Sequence, residues 1–132
     1  MEPRTGESND ELGGEPVLAV AAIRTPRGAT LSLVGDLDLH GVRLLHERLA
    51  EIRSGEPVEQ VEIDLGRLAF IDSSGLQAVL VAREDLQRDG IGTRIVSVSP
   101  AVSRVAEIAG LAEQFAVPDE GGDDNRDGDR DG

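Results

Sequence analysis

Residues Val61-Glu62-Ile63-Asp64-Leu65 alternate strictly between apolar and acidic side chains, and they lead into Phe70-Ile71-Asp72-Ser73-Ser74-Gly75-Leu76, the head of a long amphipathic segment. An alternating strand buries one face and leaves the other in water, so helices can cover only one side of its sheet. The same run sets two hydroxyls, flanked by a carboxylate and a glycine, where a helix begins. A phosphate there would lie beside unpaired backbone N–H groups and the positive end of a helix dipole. That suits a reversible charge switch better than a catalytic serine.

The rest of the chain supplies partners for this unit. Val17 to Ile23 is mostly apolar and reads as a first strand, Thr25-Pro26-Arg27-Gly28 as a turn, and Ala29 to Gly35 as a second strand that completes an antiparallel hairpin. Val42, Leu45, Leu49 and Ile52 recur at helical spacing, and Gly55 and Pro57 stop that helix. The third strand is expected from Val58 to Leu65 and the second helix from Ser73 to Arg88, with Leu76, Val79, Leu80 and Leu86 inward. Thr93 to Ser99 reads as a fourth strand with Val96 and Val98 on one face. Ser99-Pro100 opens a third helix, Ser as the cap and Pro at the first helical position, with Val102, Val105, Ala106 and Ala109 as its stripe. Leu111 to Val117 is expected to be a short edge strand. The fold class is therefore α/β: one domain over residues 17–117, a mixed sheet of about four to five strands, and helices mainly on one face. Residues 1–16 are expected to be a disordered leader and residues 118–132 a disordered acidic tail.

Composition bears mostly on partners. The 132 residues suffice for one domain with a modest core. Phe70 and Phe115 are the only aromatic residues, so the core is aliphatic and no stacking platform for single-stranded nucleic acid exists. The net charge is −13, but residues 1–16 carry −4 (five acids against Arg4) and residues 119–132 carry −5 (seven acids against Arg126 and Arg130). Acidity of this kind repels DNA, RNA and anionic lipid. The absence of cysteine excludes disulfides, thiol catalysis and thiolate metal sites. No apolar run reaches membrane-spanning length, and Met1 to Pro16 has no signal-peptide core, so a cytoplasmic protein is expected.

Other chemistries find little support. His40 and His46 lie six apart and do not share a helical face, which makes zinc binding a poor reading. Asp36 and Asp38 have no third acid, His or Cys at metal-ligand spacing, and helix capping is the alternative reading for them. Asp123, Asn125, Asp127 and Gly128 resemble the opening of a calcium loop but lack its closing Glu. Ser73 and Ser74 lack the Gly-x-Ser-x-Gly elbow of a hydrolase, and Gly90-Ile91-Gly92 follows a helix rather than opening one. Asp72 or Ser73 can also serve simply as a helix cap. Gly75 argues for something more. A glycine in the first helical turn costs ~1 kcal/mol against alanine, which points to a close approach by a partner or another element.

The runs Gly35-Asp36-Leu37-Asp38, Ile63-Asp64-Leu65, Phe70-Ile71-Asp72-Ser73-Ser74-Gly75-Leu76, Val98-Ser99-Pro100-Ala101-Val102 and Ala109-Gly110-Leu111 occur in that order, and together they resemble the STAS-domain anti-sigma-factor antagonists of bacteria. The resemblance implies a non-enzymatic binding protein with no cofactor and no metal. Its unphosphorylated form would bind an anti-sigma factor that is itself a serine kinase, and so release a sigma factor. The kinase would phosphorylate Ser73 and end the binding, and a serine phosphatase would restore it. Asp36, Asp38, Asp72, Ser74 and Gly75 would belong to the partner surface. The resemblance also admits an alternative, an accessory subunit of a cytoplasmic-membrane transporter. Those relatives often change the Asp-Ser-Ser-Gly turn, which is intact here.

Overall fold

The computed structural model describes residues 18–118, so the expected leader and nearly all of the expected tail lie outside the described residues. The elements run β1 (Leu18–Arg24), β2 (Gly28–Leu37), a 3-10 turn (Leu39–Gly41), α1 (Val42–Ser54), β3 (Gln60–Ile71), α2 (Ser73–Arg88), β4 (Gly92–Val98), α3 (Pro100–Ile108) and a second 3-10 turn (Ala112–Phe115). One sheet holds the strands in the order β1-β2-β3-β4. β1 and β2 are antiparallel, while β2, β3 and β4 are mutually parallel. The parallel pairs are joined through α1 and α2, as crossover connections require.

The alternation in β3 is realised. Val61, Ile63 and Leu65 are buried, and Glu62 and Asp64 between them are only partly covered. Leu31 and Leu33 of β2 and Leu18 and Val20 of β1 join the same core. Leu45, Leu49 and Ile52 of α1, Leu76, Val79, Ala82 and Leu86 of α2, and Val102 and Ala106 of α3 close it from the helical side.

The structure departs from the sequence expectation in β3, in β4 and in the last element, each with a local cause. β3 continues past Leu65 to Ile71. Register runs from Ser32↔Asp64 to Val34↔Arg67 and from Gly35↔Leu68 to Asp36↔Phe70, so β3 carries one extra residue at each step. The bulges break the two-residue period that identifies a strand. Leu65, Leu68 and Ile71 are consequently buried at a spacing of three. In β4 an irregularity between Ile63↔Ile95 and Asp64↔Ser97 leaves Val96 as the extra residue, and Ile95, rather than Val96, enters the core. The expected last strand is a 3-10 turn instead. Leu111 and Phe115 stand four apart, which a single helical turn accommodates, and Phe115 is buried. Arg83 Nη1 of α2 fixes this turn by donating to the Gln114 carbonyl at 2.7 Å.

Where α1 and α2 end, Arg53 grips Asp89: Nε to Oδ2 is 2.7 Å and Nη2 to Oδ1 is 3.3 Å. The hydrogen bond from Arg53 holds the Asp89 carboxyl below the usual carboxylate range. A lowered carboxylate pKa stabilises the fold above the unfolded-state value, and the contribution fades as pH falls through the folded-state value. Asp89→Asn is therefore expected to flatten the acid-side decline of the melting temperature slightly. The pair is exposed, so the difference should shrink in 1 M salt. Truncation in the core acts on a larger scale. Leu33 is 0% exposed, and Leu33→Ala is expected to cost about 2–5 kcal/mol in urea unfolding.

Candidate functional site

β2 and β3 end side by side. Asp36 pairs with Phe70 and Leu37 with Ile71, and beyond them one strand turns into Asp38 and the other into Asp72. Each of these acids caps the element after it. Asp38 Oδ1 accepts from the Gly41 backbone N–H at 3.1 Å and starts the first 3-10 turn. Asp72 Oδ1 accepts from the Gly75 N–H at 2.9 Å and starts α2. The two ends are stitched together where the Asp72 N–H donates to the Leu37 carbonyl at 3.3 Å.

Gly75 makes this junction possible. A Cβ on Gly75 would stand 2.4 Å from the Leu37 carbonyl oxygen and 2.8 Å from Ile71 Cγ1. Of the two readings of this glycine, the close approach is made by another element, the end of β2, and Gly75 itself is buried. Upstream, Gly35 has a φ of 108°, in the left-handed region, at one of the register irregularities. The sequence reading ended the second strand at Gly35 and so left Asp36 outside it with Asp38. Asp36 is instead a residue of β2, because that strand runs on to Leu37. The buried Leu37 points to the core, so Asp36 faces the open side of the sheet with its register partner Phe70.

The two hydroxyls differ in setting. Ser73, the first residue of α2, is exposed, and Ser74 is partly buried. Among the described residues no group of three or more His, Cys, Asp or Glu is placed to hold a metal ion. His40 Nδ1 lies 4.0 Å from Asp38 Oδ2 with its ring almost fully in solvent, and His46 is exposed on α1. Among the described residues no side chain hydrogen-bonds to the Ser73 hydroxyl. The arrangement offers an exposed hydroxyl on a rigid helix head, with three carboxylates, Asp36, Asp38 and Asp72, at the same end of the sheet.

The STAS domain family model matches residues 19–121, which covers most of the chain. The chain belongs to the STAS domain family. Among curated relatives, the anti-sigma F factor antagonist of Paenibacillus polymyxa is 28% identical over 87 residues, 66% of this chain and 74% of the relative. The anti-sigma-B factor antagonist of Staphylococcus epidermidis is 29% identical over 83 residues, 63% of this chain and 76% of that protein. The solved structure of the anti-sigma factor antagonist SpoIIAA in its unphosphorylated form superposes with a TM-score of 0.61 at 26% identity, covering 78% of this chain and 90% of that one. The phosphorylated form of SpoIIAA, a Bacillus cell fate determinant, gives 0.57 at 25% identity over 78% and 94%.

Two residues of this STAS domain's helix-head surface escape sequence reasoning. Leu39 is 67% exposed and Phe70 48% exposed, and they belong to the two chain segments that meet at Ser73. Leu39 stands three residues before Val42, so helical spacing alone counts it with the buried stripe of α1. The intervening 3-10 turn swings it outward. Phe70 did carry a signal, because it directly precedes the buried Ile71 on a strand and so faces the other way.

The junction predicts a graded mutant series. Gly75→Ala is expected to destabilise the domain by about 1–3 kcal/mol, since the added methyl meets backbone. Asp72→Ala is expected to cost about 1 kcal/mol through loss of the cap. Ser73→Ala should leave urea unfolding within about 0.5 kcal/mol of wild type, as an exposed side chain with no contact to lose.

Proposed function

We propose that this STAS domain is an anti-sigma-factor antagonist. Its unphosphorylated form binds an anti-sigma factor serine kinase and so frees a sigma factor. The kinase phosphorylates Ser73 and thereby ends the binding, and a serine phosphatase removes the phosphate. The partner surface comprises Ser73, Ser74, Asp72, Asp36 and Asp38, with Gly75 seating the helix head from beneath. The chain works in the cytoplasm as a binding switch, not an enzyme, and holds no cofactor of its own.

The observation that carries this reading is the exposed Ser73 hydroxyl at the first position of a capped helix. A kinase can reach it, and the helix head tolerates the charge it gains. A phosphate adds about 1.5–2 negative charges at neutral pH. The existence of a related antagonist in phosphorylated and unphosphorylated forms supports a switch of this type. The intact Asp72-Ser73-Ser74-Gly75 turn favours it over a transporter accessory role.

Incubation with the cognate kinase and ATP, followed by peptide mapping, is expected to find one phosphate, on Ser73. Ser73→Asp is expected to weaken kinase binding by roughly a hundredfold, equivalent to about 3 kcal/mol. Phosphate on another residue, or unchanged binding by the aspartate variant, contradicts the proposal.

A further inference from the structure

Leu39 and Phe70 are two large apolar side chains exposed at the same end of the sheet as Ser73, and Leu39 is held there by its turn. The turn that carries it is anchored twice: the Gly41 N–H donates to the Asp38 carbonyl at 2.9 Å and to the Asp38 carboxylate at 3.1 Å. Gly41 is itself buried, and a Cβ there would lie 2.8 Å from Leu18 Cδ2 and 3.4 Å from Leu37 Cδ1, so the turn packs directly on core side chains. The exposure of Leu39 is thus set by packing beneath the turn and not by a loose loop.

Its position relative to Ser73 is fixed by the strand register. Leu37 pairs with Ile71, so Asp38 and Leu39 continue from Leu37 as Asp72 and Ser73 continue from Ile71. The Asp72 N–H to Leu37 carbonyl bond keeps the two continuations together. Phe70, half-exposed, adds a second apolar surface from β3. Asp36, Asp38 and Asp72 give this end of the sheet its charge.

We propose that Leu39 is the apolar anchor of the docking surface, seated in an apolar pocket with a cationic rim on the kinase, while the carboxylates steer the encounter. This inference rests on the function proposed above and assigns its parts. An apolar side chain desolvated at the centre of an interface governs how long a complex lasts. Charges at the rim govern how fast it forms and how salt affects it. A phosphate on Ser73 would then act by keeping water at the spot that Leu39 must dry.

The test uses the full chain and the anti-sigma factor kinase that binds wild type, with association and dissociation rates measured at two ionic strengths. Leu39→Ala is expected to raise the dissociation rate roughly tenfold or more, with an association rate within about threefold of wild type and the same salt dependence. Leu39→Met should restore most of the lifetime. Asp36→Asn should do the opposite of Leu39→Ala, slowing association and flattening its salt dependence. The melting temperature of Leu39→Ala should match wild type, which shows the variant folded, and saturating kinase should still phosphorylate its Ser73. Wild-type dissociation kinetics in Leu39→Ala, with wild type itself binding, overturn the anchor and leave the switch standing. A wild type that binds no such kinase overturns both.

Discussion

The meeting of the β2 end with the α2 head is the contact on which the functional surface depends. One hydrogen bond, Asp72 N–H to the Leu37 carbonyl, and one missing methyl, at Gly75, bring two chain segments together. Without that approach the 3-10 turn with Asp38 and Leu39 would not lie against the helix head. The rest of the sheet serves to hold these two strand ends at the same level. β2 and β3 are parallel neighbours, so their ends and the elements attached to them emerge on one side. Two bulges in β3 adjust its length so that Ile71 comes into register with Leu37. The irregularities that look like faults in the strand are what align its end.

Electrostatics at the helix head bear on how the proposed phosphate would act on binding without disturbing the fold. The helix end favours a negative charge by about 0.3–1 kcal/mol. A neighbouring carboxylate opposes it, since two unit charges ~6 Å apart repel by roughly 0.7 kcal/mol in water. On an exposed surface the two effects are opposite in sign and each on the order of 1 kcal/mol per pair of charges, so phosphorylation would perturb the free domain only modestly. The balance changes when a partner expels the water. The same repulsion and the cost of stripping water from a dianion then grow severalfold, because solvent no longer screens them. Under the proposed function, the modification would be quiet in the free protein and loud in the complex.

Much of this was legible in the sequence, where local pattern and tertiary structure agree. The alternation at Val61–Leu65 implied a sheet covered on one face, and the helix of Ser73 to Arg88 is found with those bounds. The cap at Ser99 is also as expected, accepting from the Val102 N–H at 3.2 Å. The failures fall where a bulge or a tight turn overrides periodicity. Val96 misled because an extra residue in β4 shifted the faces. Leu111–Val117 misled because a seven-residue span with apolar residues four apart satisfies either a strand or a helical turn. Leu39 was not singled out in the sequence, because only the 3-10 turn that carries it decides its exposure. Gly75 was recognised as a point of close approach, but only the three-dimensional structure could say that β2, rather than a partner, makes it.

The side-by-side serines show how the fold can choose between chemically identical groups. Successive residues in a helix point about 100° apart, so Ser73 and Ser74 cannot share one environment. Ser73 faces solvent, and Ser74 is partly covered. A kinase must surround an acceptor hydroxyl and align it with a nucleotide, which an exposed first helical residue permits. A half-buried second residue would have to leave its packing first. The cap sharpens the difference. The Asp72 carboxylate already satisfies the Gly75 N–H and the Asp72 carbonyl takes that of Leu76 at 3.0 Å, leaving the N–H groups of Ser73 and Ser74 without acceptors inside the helix. Under the proposed function, the shape of the helix head would by itself favour Ser73 over Ser74 as the acceptor. That shape is set by the glycine two residues on.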